Sequence, residues 1–360
     1  MDSNEEWKNV GRIAWATGGI VATNASGPDV EVTAGLGGRS VCTLTVTSFP
    51  RLFSELSEHG FKILGATFIT SPEELQGLRA PEFRTANPTV GWSAFNTRHG
   101  WRRIVFAAAK SGHMPLMGLA SRISLGLRYG ELRLRDLAAA YSAQLRGRLH
   151  DSEPKDYEAF KDANSFEVYK SIHALFWELA MLRDTLAEFV AFSFSLPKLR
   201  TMSGLRKALR NSHQKDALAN EILQATDPPS GWIATFTDYR NFFTHISPME
   251  EAANLAFALQ DKVEVGGGRS IPQLYYPLPQ NIGELTHERS AGFSFASLDA
   301  LRAEARRRHD RATEPDALEY LHGCLNRFAD LASALICRSP LAPKPIVLAP
   351  EDIIGKIRVV

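Results

Sequence analysis

Arg240-Asn241-Phe242-Phe243-Thr244-His245 puts a guanidinium, an adjacent carboxamide and, five positions on from the arginine, an imidazole into one short stretch of chain. Those groups suffice to cleave a phosphodiester without a metal. The imidazole moves a proton, while the guanidinium grips the phosphate bidentately and stabilises the charge that grows in the transition state. The nucleophile such a site calls for is an RNA 2′-hydroxyl attacking its adjacent phosphate. Arginine and histidine separated by four to six residues make a weak signal, since roughly two or three chance matches are expected at this Arg and His usage. Two more occur, Arg206…His213 and Arg302…His309, but Lys207 and Ala303 follow their arginines. Requiring the polar neighbour that Asn241 supplies lowers the chance expectation to the order of 0.1. The plain alternative is a helix with a surface arginine and a histidine at its end.

The Arg-polar-x3-His pattern of Arg240, Asn241 and His245 resembles that of the ribonuclease members of the HEPN family (higher eukaryotes and prokaryotes nucleotide-binding), over roughly the second half of the chain. The resemblance implies an all-helical bundle that dimerises. It also implies a metal-independent endoribonuclease, without cofactor, whose site is shared across the dimer. A role as a toxin or antiviral-defence effector, with a regulatory or antitoxin partner, is implied by it as well. Some members carry His-x-Tyr, the tyrosine being modified by a partner nucleotidyltransferase; Ser247 stands at that position, so this regulation is not implied. Residues 1 to about 150 resemble no family.

The motif must be placed by its helix. Five residues of α-helix turn through about 500°, leaving Arg240 and His245 about 140° apart, whereas Asn241 and His245 nearly share a face. Asn241 is thus expected to orient the imidazole while Arg240 projects to the side. Two such helices meeting across a twofold axis bring the groups into one cleft. At the end of a helix, His245 favours its protonated form, which suits an acid on the leaving 5′-oxygen. The motif helix is expected from Ser230-Gly231-Trp232 to near His245, where Ser247-Pro248-Met249-Glu250 begins a new element.

The fold class expected is mainly α: a HEPN-like helical bundle over residues 151–338, an N-terminal small α/β unit with its linker over 1–96, a basic helical segment over 97–150, and a Pro-rich extended tail over 339–360. In the first unit, Ser40 to Thr47 alternates as a half-buried strand with Cys42, Leu44 and Val46 on one face. Ser48 caps a helix to His59, and Phe61 to Thr70 is a second strand. Gly18-Gly19 and Gly35-Leu36-Gly37-Gly38 read as turns, lacking the spacing and lysine of phosphate loops. Pro72 to Asn96 reads as a linker. Helical patterning follows, broken at Gly112 and Gly130. Ser165 begins a long helix to Leu196, with Val168, Ile172, Leu175, Leu179, Leu182, Leu186 and Phe189 as one apolar seam, available as core or as core plus dimer face. Phe257 to Pro279 reads as a β-hairpin inserted between bundle helices, turning at Gly266-Gly267-Gly268. A last helix runs from about Thr313 to Cys337; within it His322 and Cys324 pack rather than bind zinc.

The net charge of +1 over 360 residues conceals blocks. Arg98 to His150 has ten Lys/Arg against two acids, a net of +8, and Asp151 to Glu188 has four against nine, a net of −5. Pro197 to Lys215 carries six basic residues and no acid. There Arg200, Arg206, Lys207 and Arg210 are candidate nucleic-acid contacts, since such surfaces attract phosphates by counterion release; solvated faces paired with the acidic block are the alternative. The start of the sequence is acidic and Ile13 to Ala25 is short and glycine-broken, so neither signal peptide nor membrane span is expected, and three dispersed cysteines suit a reducing, cytoplasmic setting. Two other functions compete with the ribonuclease: a non-catalytic RNA- or protein-binding module on the same bundle, and a DNA-binding regulator, for which no helix-turn-helix or zinc pattern is found.

Overall fold

A computed structural model describes residues 11–24, 28–46, 48–87, 91–151, 158–212, 216–243, 258–264, 270–278 and 315–341. The fold is mixed and helix-rich. The first half of the chain opens with β1 (Gly11–Ala16), β2 (Ile20–Asn24), β3 (Asp29–Ala34) and β4 (Ser40–Thr45), then α1 (Phe49–Glu58), β5 (Ile63–Ile69), the single turn α2 (Pro72–Leu75) and β6 (Glu82–Thr85). The strands form one antiparallel sheet in the order β4-β3-β2-β1-β5-β6. Ser48 caps α1 as its sequence predicts, its side chain accepting the Arg51 N–H.

The expected linker is a correction. Pro72 to Asn96 contains α2, the edge strand β6 and the first turn of α3 (Ser93–Lys110). Its Pro-, Thr- and Asn-rich composition is turn-like, yet Thr85, Arg84, Phe83 and Glu82 pair in register with Gly65, Ala66, Thr67 and Phe68, and the ladder overrides the local preference. The first unit is therefore a six-stranded sheet rather than a small unit followed by a tether.

The glycine pairs are docking turns. Gly19 and Gly35 have φ of +87° and +83°, and a Cβ on them would stand 2.9 Å from the Tyr141 carbonyl oxygen and 2.6 Å from that of Ser142. Both carbonyls belong to α4 (Met114–Asp151), 38 residues or about 57 Å of unbroken helix that crosses the sheet. The Leu36 N–H donates to Ser142 Oγ at 2.7 Å, and Arg146 Nη1 donates to the Leu36 carbonyl at 3.0 Å.

The expected break at Gly112 is present, between α3 and α4, where φ is +72°. That at Gly130 is not: α4 runs through it, because glycine there lets two helices approach. A Cβ would meet Leu325 Cδ1 at 2.9 Å and Leu179 Cδ2 at 3.5 Å.

Beyond α4 come β7 (Glu158–Phe160), α5 (Ala163–Ser193), α6 (Met202–Asn211), α7 (Ala217–Ala225), α8 (Trp232–Asn241), β8 (Ala258–Glu264), β9 (Ser270–Tyr275) and α9 (Ala317–Ile336). β8 and β9 pair antiparallel from Leu259↔Tyr275 to Glu264↔Ser270, so the inserted hairpin lies between α8 and α9, with β7 as a third strand. Its glycine turn lies outside the described residues, as do Ser247 to Glu250, Arg302 to Arg311 and all but the start of the Pro-rich tail. Asp162, not Ser165, is the N-cap of α5; Ser165 is the reciprocal partner in the capping box.

Every residue of the predicted seam, from Val168 to Phe189, is buried. What covers it is this chain's own α4 and α9, which pack along α5. Of the two readings of the seam, core alone is the one this packing supports. The buried apolar side chains form one continuous cluster from Ala14 in the sheet to Leu335 in α9. His322 and Cys324 lie inside it: His322 Nε2 is 2.7 Å from the Ala86 carbonyl, and burial holds its pKa down to about 4. Among the described residues no helix is long and apolar enough to cross a membrane.

Glu131 of α4, wholly buried, joins sheet to bundle. Its Oε1 accepts the Thr85 N–H at 3.1 Å and its Oε2 lies 3.7 Å from Arg98 Nη1. Desolvation pushes its pKa from 4.5 up to about 7, against the lowering pull of Thr85 and Arg98. An acid whose native pKa is raised contributes most below its unfolded value and loses that contribution as pH climbs to its folded one. The Glu131 contribution to stability is therefore expected to fall between about pH 4.5 and about pH 7, and Glu131→Gln to remove that part of the slope. Denaturant midpoints of both proteins at about pH 5 and about pH 8 check this; parallel slopes would refute it.

Candidate functional site

α8 carries the motif, and its inner face explains where the motif points. Ile233, Phe236 and Tyr239 are buried at helical spacing, followed by Phe242 and Phe243, also buried. They enter an aromatic cluster with α5 and α9. Phe176 stacks on Phe236 with centroids 5.7 Å apart and meets Phe243 at the same distance; Tyr239 meets Tyr320 edge-on at 5.1 Å, and Phe236 meets Phe328 at 5.4 Å. Arg183 of α5, itself buried, adds a polar pin by donating to Thr237 Oγ1 at 2.9 Å. With those side chains directed inward, Arg240 and Asn241 are left half-buried at the margin.

Arg240 Nη1 donates to Asn241 Oδ1 at 3.0 Å, and the guanidinium lies over the Trp177 ring of α5, 5.3 Å from its centroid. The cation is held between an acceptor and an aromatic face. The Asn241 oxygen engages Arg240, and the expected pairing of Asn241 with the imidazole falls on His245, beyond the described residues. The helical spacing also changes. Regular α-helix ends at Asn241, and Phe242 and Phe243 continue in a wider, π-type turn. The α-helical angle between Arg240 and His245 thus applies only as far as Asn241. His245 itself lies outside the described residues.

Two side chains near the motif escape sequence reasoning. Trp177, half exposed, is the surface under Arg240, and His173, one turn earlier on α5, sets its ring 6.1 Å from that of Phe243, two residues before His245. The available signal is their position off the apolar seam, four residues apart on the long helix, where an exposed tryptophan is unusual.

The candidate nucleic-acid contacts divide into two pairs. Arg206 Nη1 donates to the Thr226 carbonyl at 3.1 Å and Arg210 pairs with Asp227 at 2.5 Å, so both fasten α6 to the end of α7. Arg200 and Lys207 are exposed. Their segment contains no acid, but the fold brings one to it from farther along the chain. His213 lies outside the described residues, and so do Arg302 and His309.

A second buried carboxylate caps α9. Asp316 Oδ1 accepts the Tyr141 hydroxyl and the Tyr276 N–H, and its Oδ2 accepts the N–H groups of Leu318 and Glu319. Burial raises its pKa to about 6, with these donors pulling it down. Four donors on a carboxylate fully account for its burial as a structural cap.

No protein-family model matches the chain, and neither a curated protein nor a solved structure matches it.

Proposed function

We propose that the protein is a metal-independent endoribonuclease of HEPN type, in which Arg240 grips the scissile phosphate, His245 transfers the proton and Asn241 positions Arg240. The observation that carries the reading is the seating of Arg240 over Trp177 and against Asn241 at the margin of a packed aromatic cluster, next to a histidine in the pattern of that family. A preorganised cation costs no rearrangement when charge develops on the phosphate. Attack by the 2′-hydroxyl leaves a 2′,3′-cyclic phosphate and a 5′-hydroxyl. Cleavage in EDTA with those ends is the expected result; a requirement for added metal, or RNA bound tightly and never cut, refutes it and favours a binding module.

The proposed site is completed by a second copy, as in the family resembled. The seam of α5 is not available for this, but its outer face is: Trp177 is 50% exposed beside Arg240, and Met181, one turn on, is 57% exposed. Light scattering is expected to report twice the chain mass, and Trp177→Glu with Met181→Glu to report the monomer. A monomeric parent protein that cleaves at undiminished rate removes the shared site. A toxin or defence effector held by a regulatory partner in the cytoplasm is the biological setting this reading suggests.

A further inference from the structure

α3 has a face that neither the packing nor the proposed cleavage site uses. Its inner residues Ala94, Thr97, Gly100, Trp101, Ile104 and Ala108 are buried against α4, β6 and α9, with Trp101 edge-on to Phe189 and its indole N–H donating to the Ala332 carbonyl at 3.0 Å. On the opposite side Phe95, His99, Arg102, Phe106 and Lys110 recur at steps of four, three, four and four, one stripe of roughly 22 Å. Phe106 is 67% exposed, Arg102 and Lys110 are exposed, and the rings of Phe95 and His99 are half-buried, 4.4 Å apart. The helix has no acidic residue. At its N-terminal end the neighbouring edge strand adds Arg84, whose guanidinium is paired with Glu82 at 2.8 Å and lies over the Phe95 ring, 4.1 Å from its centroid, with Arg98 at 5.0 Å.

We propose that this stripe binds single-stranded RNA, with Phe106 and His99 offering ring faces to bases and Arg102 and Lys110 holding the intervening phosphates. A protein partner would be met by an apolar patch with a polar rim, and a duplex by cations alone. Rings alternating with cations along one line fit a strand whose bases and phosphates alternate. Burial, with the charges of Arg98 and Arg102, holds the His99 pKa below its ordinary value, so its ring meets a base uncharged. The inference rests on RNA being the substrate and assigns this face to its capture, apart from the residues that cut.

The test measures binding of a labelled single-stranded RNA by fluorescence anisotropy, in the Arg240→Ala background so that cleavage plays no part. Phe106→Ala is expected to weaken binding roughly fivefold to a hundredfold, the usual cost of removing one stacking platform, and Phe106→Trp to keep it. Because the side chain is exposed, the alanine variant should fold like its parent, which circular dichroism checks. Replacing Arg102 and Lys110 by glutamine is expected to reduce the salt slope by about 0.7 for each phosphate no longer neutralised. Parent-like affinity in Phe106→Ala overturns the proposal, as does duplex RNA of the same sequence binding as tightly as the single strand. Loss in Phe106→Ala of binding to phosphatidylserine vesicles or of self-association, with RNA affinity intact, would assign the face to a membrane or a second copy and equally overturn it. RNA captured in the Phe106-dependent way but never cut by the native chain leaves this inference standing and removes the ribonuclease; cutting with affinity indifferent to Phe106 does the reverse.

Discussion

His245→Ala and Arg240→Ala are each expected to abolish RNA cleavage while the chain stays folded. Positioned proton transfer contributes about 10²–10⁴ in rate, and one preorganised donor to a developing oxyanion about 10²–10³, so either loss is visible in a gel assay. Removing the contact of Arg240 with Trp177 costs the fold little. The guanidinium over Trp177 is half-buried, and such a contact contributes about 0.5–1 kcal/mol when exposed. Thermal midpoints near the parent value would therefore accompany dead enzymes. Asn241→Ala is expected to be milder, because its oxygen acts through Arg240 rather than on the phosphate. It should lower kcat more than affinity, and Asn241→Asp, which keeps the acceptor, should recover part of the rate. His213→Ala and His309→Ala, the histidines of the two chance matches, are expected to cleave like the parent. Native rates in His245→Ala would leave the protein without this activity.

Phe176→Ala is expected to produce the largest loss of stability, about 3–5 kcal/mol, as truncating a buried phenylalanine does when the cavity cannot collapse. Phe176 is 2% exposed and touches Phe236, Tyr239, Phe243 and Tyr320, so one ring joins α5 to the motif helix and to α9. Against a total stability of about 5–15 kcal/mol this is a large share. The denaturant midpoint should fall accordingly, and Phe176→Leu should restore much of it. Cleavage should fall with it even in protein that remains folded, since α8 would no longer be held against α5 where Arg240 meets Trp177. Trp177→Ala separates the two effects: half exposed, it removes the ring under Arg240 and leaves the cluster intact. An unchanged midpoint in Phe176→Ala would show that the cluster does not hold the motif.

The amino-acid sequence alone determined what depends on neighbours along one element. The 3.6-residue recurrence from Val168 to Phe189 specified a long helix with one buried face, and all seven positions are buried. Ser48 with Pro50 placed the start of α1, and alternation from Ser40 to Thr47 placed a half-buried strand, found over Ser40–Thr45. Two β-like runs around three glycines specified the β8–β9 pairing. The candidate site was legible as residue types, with Arg240 and Asn241 on a helix margin as the buried spacing of Phe236 and Tyr239 requires. Only the tertiary structure decided who meets whom. A seam states that a surface will be covered but not by what; α4 and α9 of the same chain cover it, because Gly130 admits Leu325 and Leu179 at close range. Arg206 and Arg210 look unpaired in a segment without acids, yet folding brings the Thr226 carbonyl and Asp227 to them. Pro72 to Asn96 has the composition of a turn and becomes a strand because β5 offers it a ladder. Periodicity is a local quantity carried by the chain, whereas partnership is a property of surfaces that become neighbours only when distant elements pack.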